Sequence, residues 1–126
     1  MRPEAIFTPQ APKPIGPYSQ AITASNLLFI SGQIPLDPAS GAVVGATIAE
    51  QARQALGNLK AILSSQSLGA NALVKTTVFL RSMADFTAFN AVYEEALGGA
   101  KPARSVVEVS GLPKNVLVEI EAVACR

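Results

Sequence analysis

The sequence predicts an α+β domain in which two helices pack on one face of a mixed β-sheet. Three observations carry this prediction. Apolar, β-branched stretches such as Leu73 to Leu80 alternate with polar residues at the strand period. Two other segments repeat apolar side chains at helical spacing. Their order, two or three strands, a helix, a strand, a helix and two strands, does not alternate regularly enough for a parallel α/β sheet. The 126 residues are read as a single domain spanning 1–126, long enough to bury a sizeable core.

Five of the nine prolines stand at positions 3, 9, 12, 14 and 17 and predict an extended entry segment, with a short edge strand near Ala5–Thr8. A second strand follows Pro17-Tyr18-Ser19-Gln20-Ala21. Asn26-Leu27-Leu28-Phe29-Ile30-Ser31 is a continuous apolar run, the pattern of a strand buried on both faces. Gly32 to Gly45 is turn-rich. Thr47 and Glu50 then form a capping box, and Ile48, Ala52, Ala55, Leu56, Leu59, Ile62 and Leu63 form a helical stripe ending near Ser67-Leu68-Gly69. After the strand Leu73 to Leu80, Ser82 reads as a second N-cap. Met83, Phe86, Phe89, Val92, Tyr93 and Ala96 continue as an apolar stripe to Gly98-Gly99. The last two strands, around 103–109 and 116–123, read as a hairpin joined by Gly111-Leu112-Pro113-Lys114-Asn115.

Composition removes several chemistries. The chain has no histidine and one cysteine, so Ser-His-Asp and Cys-His catalysis, an intrachain disulfide and a structural zinc site are all excluded. A net charge of +1 gives no electrostatic footprint for nucleic acid or an anionic membrane. No apolar run is long enough to span a membrane, and the proline-containing start lacks the apolar core of a secretory signal. A cytoplasmic protein is expected. Charged residues make up only 15% against 49% hydrophobic ones, which predicts that apolar surface is buried between subunits of a homo-oligomer.

The final strands hold the unusual charges. Arg104, Val106 and Glu108 point one way along the first, and Glu119 and Glu121 share a face of the second. Unpaired charge is costly in a sheet core, so these groups either face water or serve a site. An arginine suits a small carboxylate, because its planar fork makes two parallel charge-assisted bonds. An Arg–Glu ion pair bracing the sheet fits the same pattern.

Several motifs, in order along nearly the whole chain, make the sequence resemble the reactive intermediate deaminase family, the RidA or YjgF-type proteins. They are Ile15-Gly16-Pro17-Tyr18-Ser19-Gln20-Ala21, Ser31-Gly32-Gln33-Ile34-Pro35, Gln51-Ala52-Arg53-Gln54-Ala55-Leu56, Val74-Lys75-Thr76-Thr77-Val78-Phe79-Leu80, Phe89-Asn90, Pro102-Ala103-Arg104-Ser105 and Val118-Glu119-Ile120-Glu121-Ala122. The resemblance implies a chorismate-mutase-like α+β domain that forms a homotrimer with active sites in clefts between subunits. It implies hydrolysis of enamines and imines such as 2-aminoacrylate and 2-iminopropionate to 2-keto acids and ammonia, with no metal or organic cofactor. Carried over residue by residue, Arg104 would hold the substrate carboxylate. Glu119 would activate water and move protons, and Tyr18 would close the cleft. Ser31, Gly32 and Asn90 would line it, and the backbone of Val106 would contact the imine nitrogen. Many such proteins carry cysteine where Val106 stands here, so no thiol chemistry is available at that position. Two other functions fit less well. One is a trimeric 2-keto-acid-binding regulatory protein without turnover. The other is RNA cleavage, attributed to some family members, which the small net charge disfavours.

Overall fold

The structure, a computed structural model, describes residues 2–126. Its best-specified local element is helix α1, Ile48–Ser65. Thr47 Oγ1 accepts the backbone N–H of Glu50, while Glu50 Oε1 accepts that of Thr47, so both halves of the capping box form. Ala52, Ala55, Leu56, Leu59, Ile62 and Leu63 are fully buried on the inner side of this helix. Helix α2, Phe86–Leu97, is preceded by a 3₁₀ turn, Met83–Asp85, that Ser82 caps. Gly98 ends α2 in the left-handed conformation (φ 58°), a position that favours glycine.

Six strands form one sheet: β1 Glu4–Ile6, β2 Ala21–Ala24, β3 Leu27–Gln33, β4 Leu73–Leu80, β5 Ala103–Glu108 and β6 Val118–Cys125. Their spatial order is β1-β2-β3-β6-β4-β5. Only β4 and β5 run parallel; the other pairs are antiparallel, so the sheet is mixed. Both helices cover one face. That face supplies Leu28, Ile30, Val78, Leu80, Val118, Ile120, Ala122 and Ala124 to the core.

Two expectations are corrected here. The final strands are not a hairpin: β4 lies between β5 and β6, and the connection passes over the end of β4. That crossing is pinned by bonds from Val109 N to Leu80 O, from Arg81 N to Leu117 O and from Arg81 Nη1 to Asn115 Oδ1. Nor is β3 buried on both faces. Leu28 and Ile30 point into the core, but Phe29 is 44% exposed on the side without helices. Val107 is exposed to a similar degree, at 42%, and its register with Phe79, which pairs with Glu119, places it on the same side. The second face of the sheet therefore carries apolar side chains with nothing from this chain over them.

Buried amides tie the loops to this frame. Gln20, in the turn before β2, accepts from Thr8 N and donates to Thr8 O, Ala11 O and Pro12 O, which fixes the entry segment. Asn58 of α1 donates to Ile34 O and Leu36 O, and Gln51 links Gly45 O with Leu117 N. Each amide is buried and each is bonded, as stability requires.

Candidate active site in two halves

The first half is built on the helix-covered face at the β5 edge. Arg104 is registered opposite Thr76 of β4, and parallel pairing places both side chains on that face. The guanidinium lies over the ring of Tyr93, 4.8 Å from its centroid, and 5.8 Å from that of Phe86. Its Nη1 donates to Asn90 Oδ1 at 2.8 Å. These partners are all neutral, so the arginine keeps its charge and most of its five donors for a ligand. A cavity of about 610 Å³ opens beside it, lined by Asn90, Tyr93, Glu94, Lys101, Pro102 and Arg104. Val106 follows on the same face, half-buried and paired with Val78. β5 is the outer strand of the sheet, so its outer backbone groups are not committed to a neighbouring strand.

The second half lies across the sheet. The β3 register slips between Ile30 and Gln33, and Ser31 and Gly32 sit in that irregularity. Such bulges re-aim side chains. Ser31 Oγ donates to Ser19 O at 2.6 Å and its N–H to Gln20 O, which holds the Tyr18 loop against β3. Tyr18 is half-exposed and borders a small hollow with Ile15, Gly32 and Ile34. The Glu119 side chain passes directly over Gly32. A Cβ at position 32 would sit 2.7 Å from Glu119 Cδ and 3.0 Å from Cγ, so any other residue there would force the carboxyl to move. Burial raises the Glu119 pKa above its ordinary value, and the neighbouring Glu121 carboxylate raises it further. A carboxyl in this state can exchange a proton nearer neutrality than an exposed glutamate can.

The structure groups the expected residues, but not all together. Arg104, Asn90 and Val106 form one cluster; Tyr18, Ser31, Gly32 and Glu119 form the other. Glu119 is registered with Phe79, three residues along β4 from the Arg104 partner Thr76, and on the opposite face. Two strand spacings across and three residues along separate the two backbones by about 10 Å in each direction. The expected approach of Arg104 to Glu119 through a hairpin is corrected accordingly: within one chain they do not meet, and the ion pair that could have braced the sheet does not form. The sequence reading also missed the surroundings of Arg104. In the sequence Tyr93 and Phe86 read only as members of an apolar helical stripe, although a hydroxyl in such a stripe is a legible signal of a polar partner. Among the described residues, no group of three or more His, Cys, Asp or Glu is placed to hold a metal. No helix among them is long and apolar enough to cross a membrane.

Fold and site together describe a mixed α+β domain with an unneutralised arginine at its sheet edge and a raised carboxyl on the other face. The chain belongs to the YjgF/RidA family, whose profile, described as Endoribonuclease L-PSP, matches residues 8–126. A RutC family protein of Pyrococcus horikoshii is 58% identical over 123 residues, covering 98% of both chains. The crystal structure of the YjgF gene product of Escherichia coli is 47% identical with a TM-score of 0.93, over 98% of each chain. The E. coli protein TdcF, whose structure holds bound serine, is 40% identical with a TM-score of 0.93, again over 98% of each.

Proposed function

We propose that this protein is a cofactor-independent 2-iminobutanoate/2-iminopropanoate deaminase, acting as a homotrimer on reactive enamines and imines. The observation that carries the reading is the division of the site. An arginine held by neutral groups stands on one face of the sheet, and a half-buried glutamate whose pKa is raised stands on the other beside uncovered apolar surface. A neighbouring copy seated on that surface would bring its own glutamate half to the arginine half of the first. The low share of charged residues and the exposed Phe29 and Val107 support such an assembly. The bound serine of TdcF supports recognition of a small amino-acid-like carboxylate in this fold.

The chemistry asks little of the protein beyond placement. An imine carbon is already electrophilic, so orientation and one proton carrier suffice. Arg104 holds the substrate carboxylate through its open edge, and the Val106 backbone meets the imine nitrogen. Water adds to the imine carbon while its proton passes to Glu119 and on to the nitrogen, giving a carbinolamine. The hydroxyl proton then passes through Glu119 to the amine nitrogen as the carbon–nitrogen bond breaks and the carbonyl forms, releasing ammonia and a 2-keto acid. Tyr18, Ser31, Gly32 and Asn90 shape the cleft around these atoms.

The test is hydrolysis of freshly generated 2-iminopropionate by wild type and by Arg104→Ala. Faster ammonia release that Arg104→Ala abolishes is the expected result. Binding of 2-keto acids with no acceleration would support the regulatory reading instead.

A further inference from the structure

We infer that Tyr93, tethered to Thr76, is a positioning residue that sets the plane of the Arg104 guanidinium and thereby the affinity for a ligand carboxylate. The inference rests on the reading of Arg104 as the carboxylate anchor. Phe86, Asn90 and Tyr93 fall at i, i+4 and i+7 on α2, so they line one stripe of that helix. All three touch the guanidinium, two through ring faces and one through a hydrogen bond.

Tyr93 differs from the other two in how firmly it is held. Its hydroxyl and Thr76 Oγ1 are 2.6 Å apart, and both residues are buried. Thr76 is itself the register partner of Arg104. The ring is further wedged by Phe89, with centroids 5.5 Å apart. The ring under the arginine is therefore fixed by β4, the same strand that pairs with β5 and carries the arginine's cross-strand neighbour. A flat cation over a ring takes its orientation from the ring. A carboxylate in that position would hold the arginine equally well but would cancel its charge; the Tyr93 face orients the group and leaves the charge for the ligand.

The probe is 2-oxobutyrate, titrated calorimetrically into wild type, Tyr93→Phe, Tyr93→Leu, Arg104→Lys, Arg104→Ala and the double variant Tyr93→Leu/Arg104→Lys, with melting curves for each. Tyr93→Leu is expected to weaken binding about 3- to 30-fold, and Tyr93→Phe less, since the ring remains but its tether is lost. In the Arg104→Lys background, where no plane exists to be set, Tyr93→Leu should change binding no more than about twofold, although it lowers the melting temperature as much as before. Equal losses of affinity in both backgrounds would show Tyr93 acting through general stability and would overturn the inference. So would unchanged affinity in Tyr93→Leu while Arg104→Ala abolishes binding, which leaves the anchor reading standing. Unchanged binding in Arg104→Ala would overturn the anchor reading and this inference together.

Discussion

The two faces of the sheet solve opposite problems. On the covered face, apolar side chains of β3, β4 and β6 interlock with α1 and α2, and the polar groups admitted there, Thr76 and Tyr93, satisfy each other. On the open face, Phe29 and Val107 stay partly wet, and Glu119 sits half-buried with a second carboxylate near it. The first face is finished by its own chain. The second is left open by its own chain, and the proposed trimer would cover it. The contrast teaches why charges occur in such apolar strands: each half-site stands at the margin of a packed surface, where a neighbour can desolvate it.

The largest expected effect comes from the halves themselves. Glu119→Gln should lower imine hydrolysis by about 10²- to 10⁴-fold, the usual range for losing a proton carrier, with 2-keto-acid binding retained. Steady-state ammonia release beside calorimetry would separate those two outcomes, and full activity in the variant would remove Glu119 from the mechanism. Next comes the open face. Phe29→Asp places a charge where apolar burial is proposed, and sedimentation velocity should show smaller species with activity lost in parallel. A monomeric wild type that is fully active would break the comparison outright.

Gly32→Ala tests the close passage of Glu119. The added methyl should displace the carboxyl and cut turnover by at least about tenfold while the melting temperature moves little, because the site is not in the packed face. Smaller still is Thr47→Ala. It removes half of the capping box and should cost about 1 kcal/mol in stability with turnover unchanged, since Thr47 stands at the exposed start of α1 and none of the named site residues lies on that helix.

The subtlest effect is on pH dependence. Glu119 has a raised pKa in the folded chain, so the fold binds its proton more tightly than the unfolded chain does. Its contribution is fully present below the ordinary glutamate pKa and is lost as pH rises through the folded value. Melting curves should therefore show Glu119→Gln gaining on wild type as pH rises from about 4 toward neutrality. The two should converge at lower pH.

Much of this was legible in the residues. The capping box located α1 to its first turn, alternation located β4, and Gly98 marked the end of α2. The neighbour order of the last strands was not legible. Consecutive strands usually pair, and nothing in the alternation of Ala103–Glu108 or Val118–Cys125 says that β4 comes between them. Phe29 misled for a related reason. A continuous apolar run announces burial on two faces without saying that the second cover is absent from the chain. The motifs contain the expected site side chains but not Phe86 or Tyr93, which hold Arg104, and the division of the expected residues between faces depends on strand order, which only the fold reveals.

In the proposed trimer each catalytic site takes Arg104 from one protomer and Glu119 from its neighbour. Subunit mixing tests this most directly. Arg104→Ala and Glu119→Gln are each expected to be inactive alone. After dissociation and joint reassembly at equal amounts, about a quarter of the interfaces should combine an intact arginine half with an intact glutamate half, and about a quarter of wild-type imine hydrolysis should return. No recovery from mixed assemblies shown to have exchanged subunits would contradict the account.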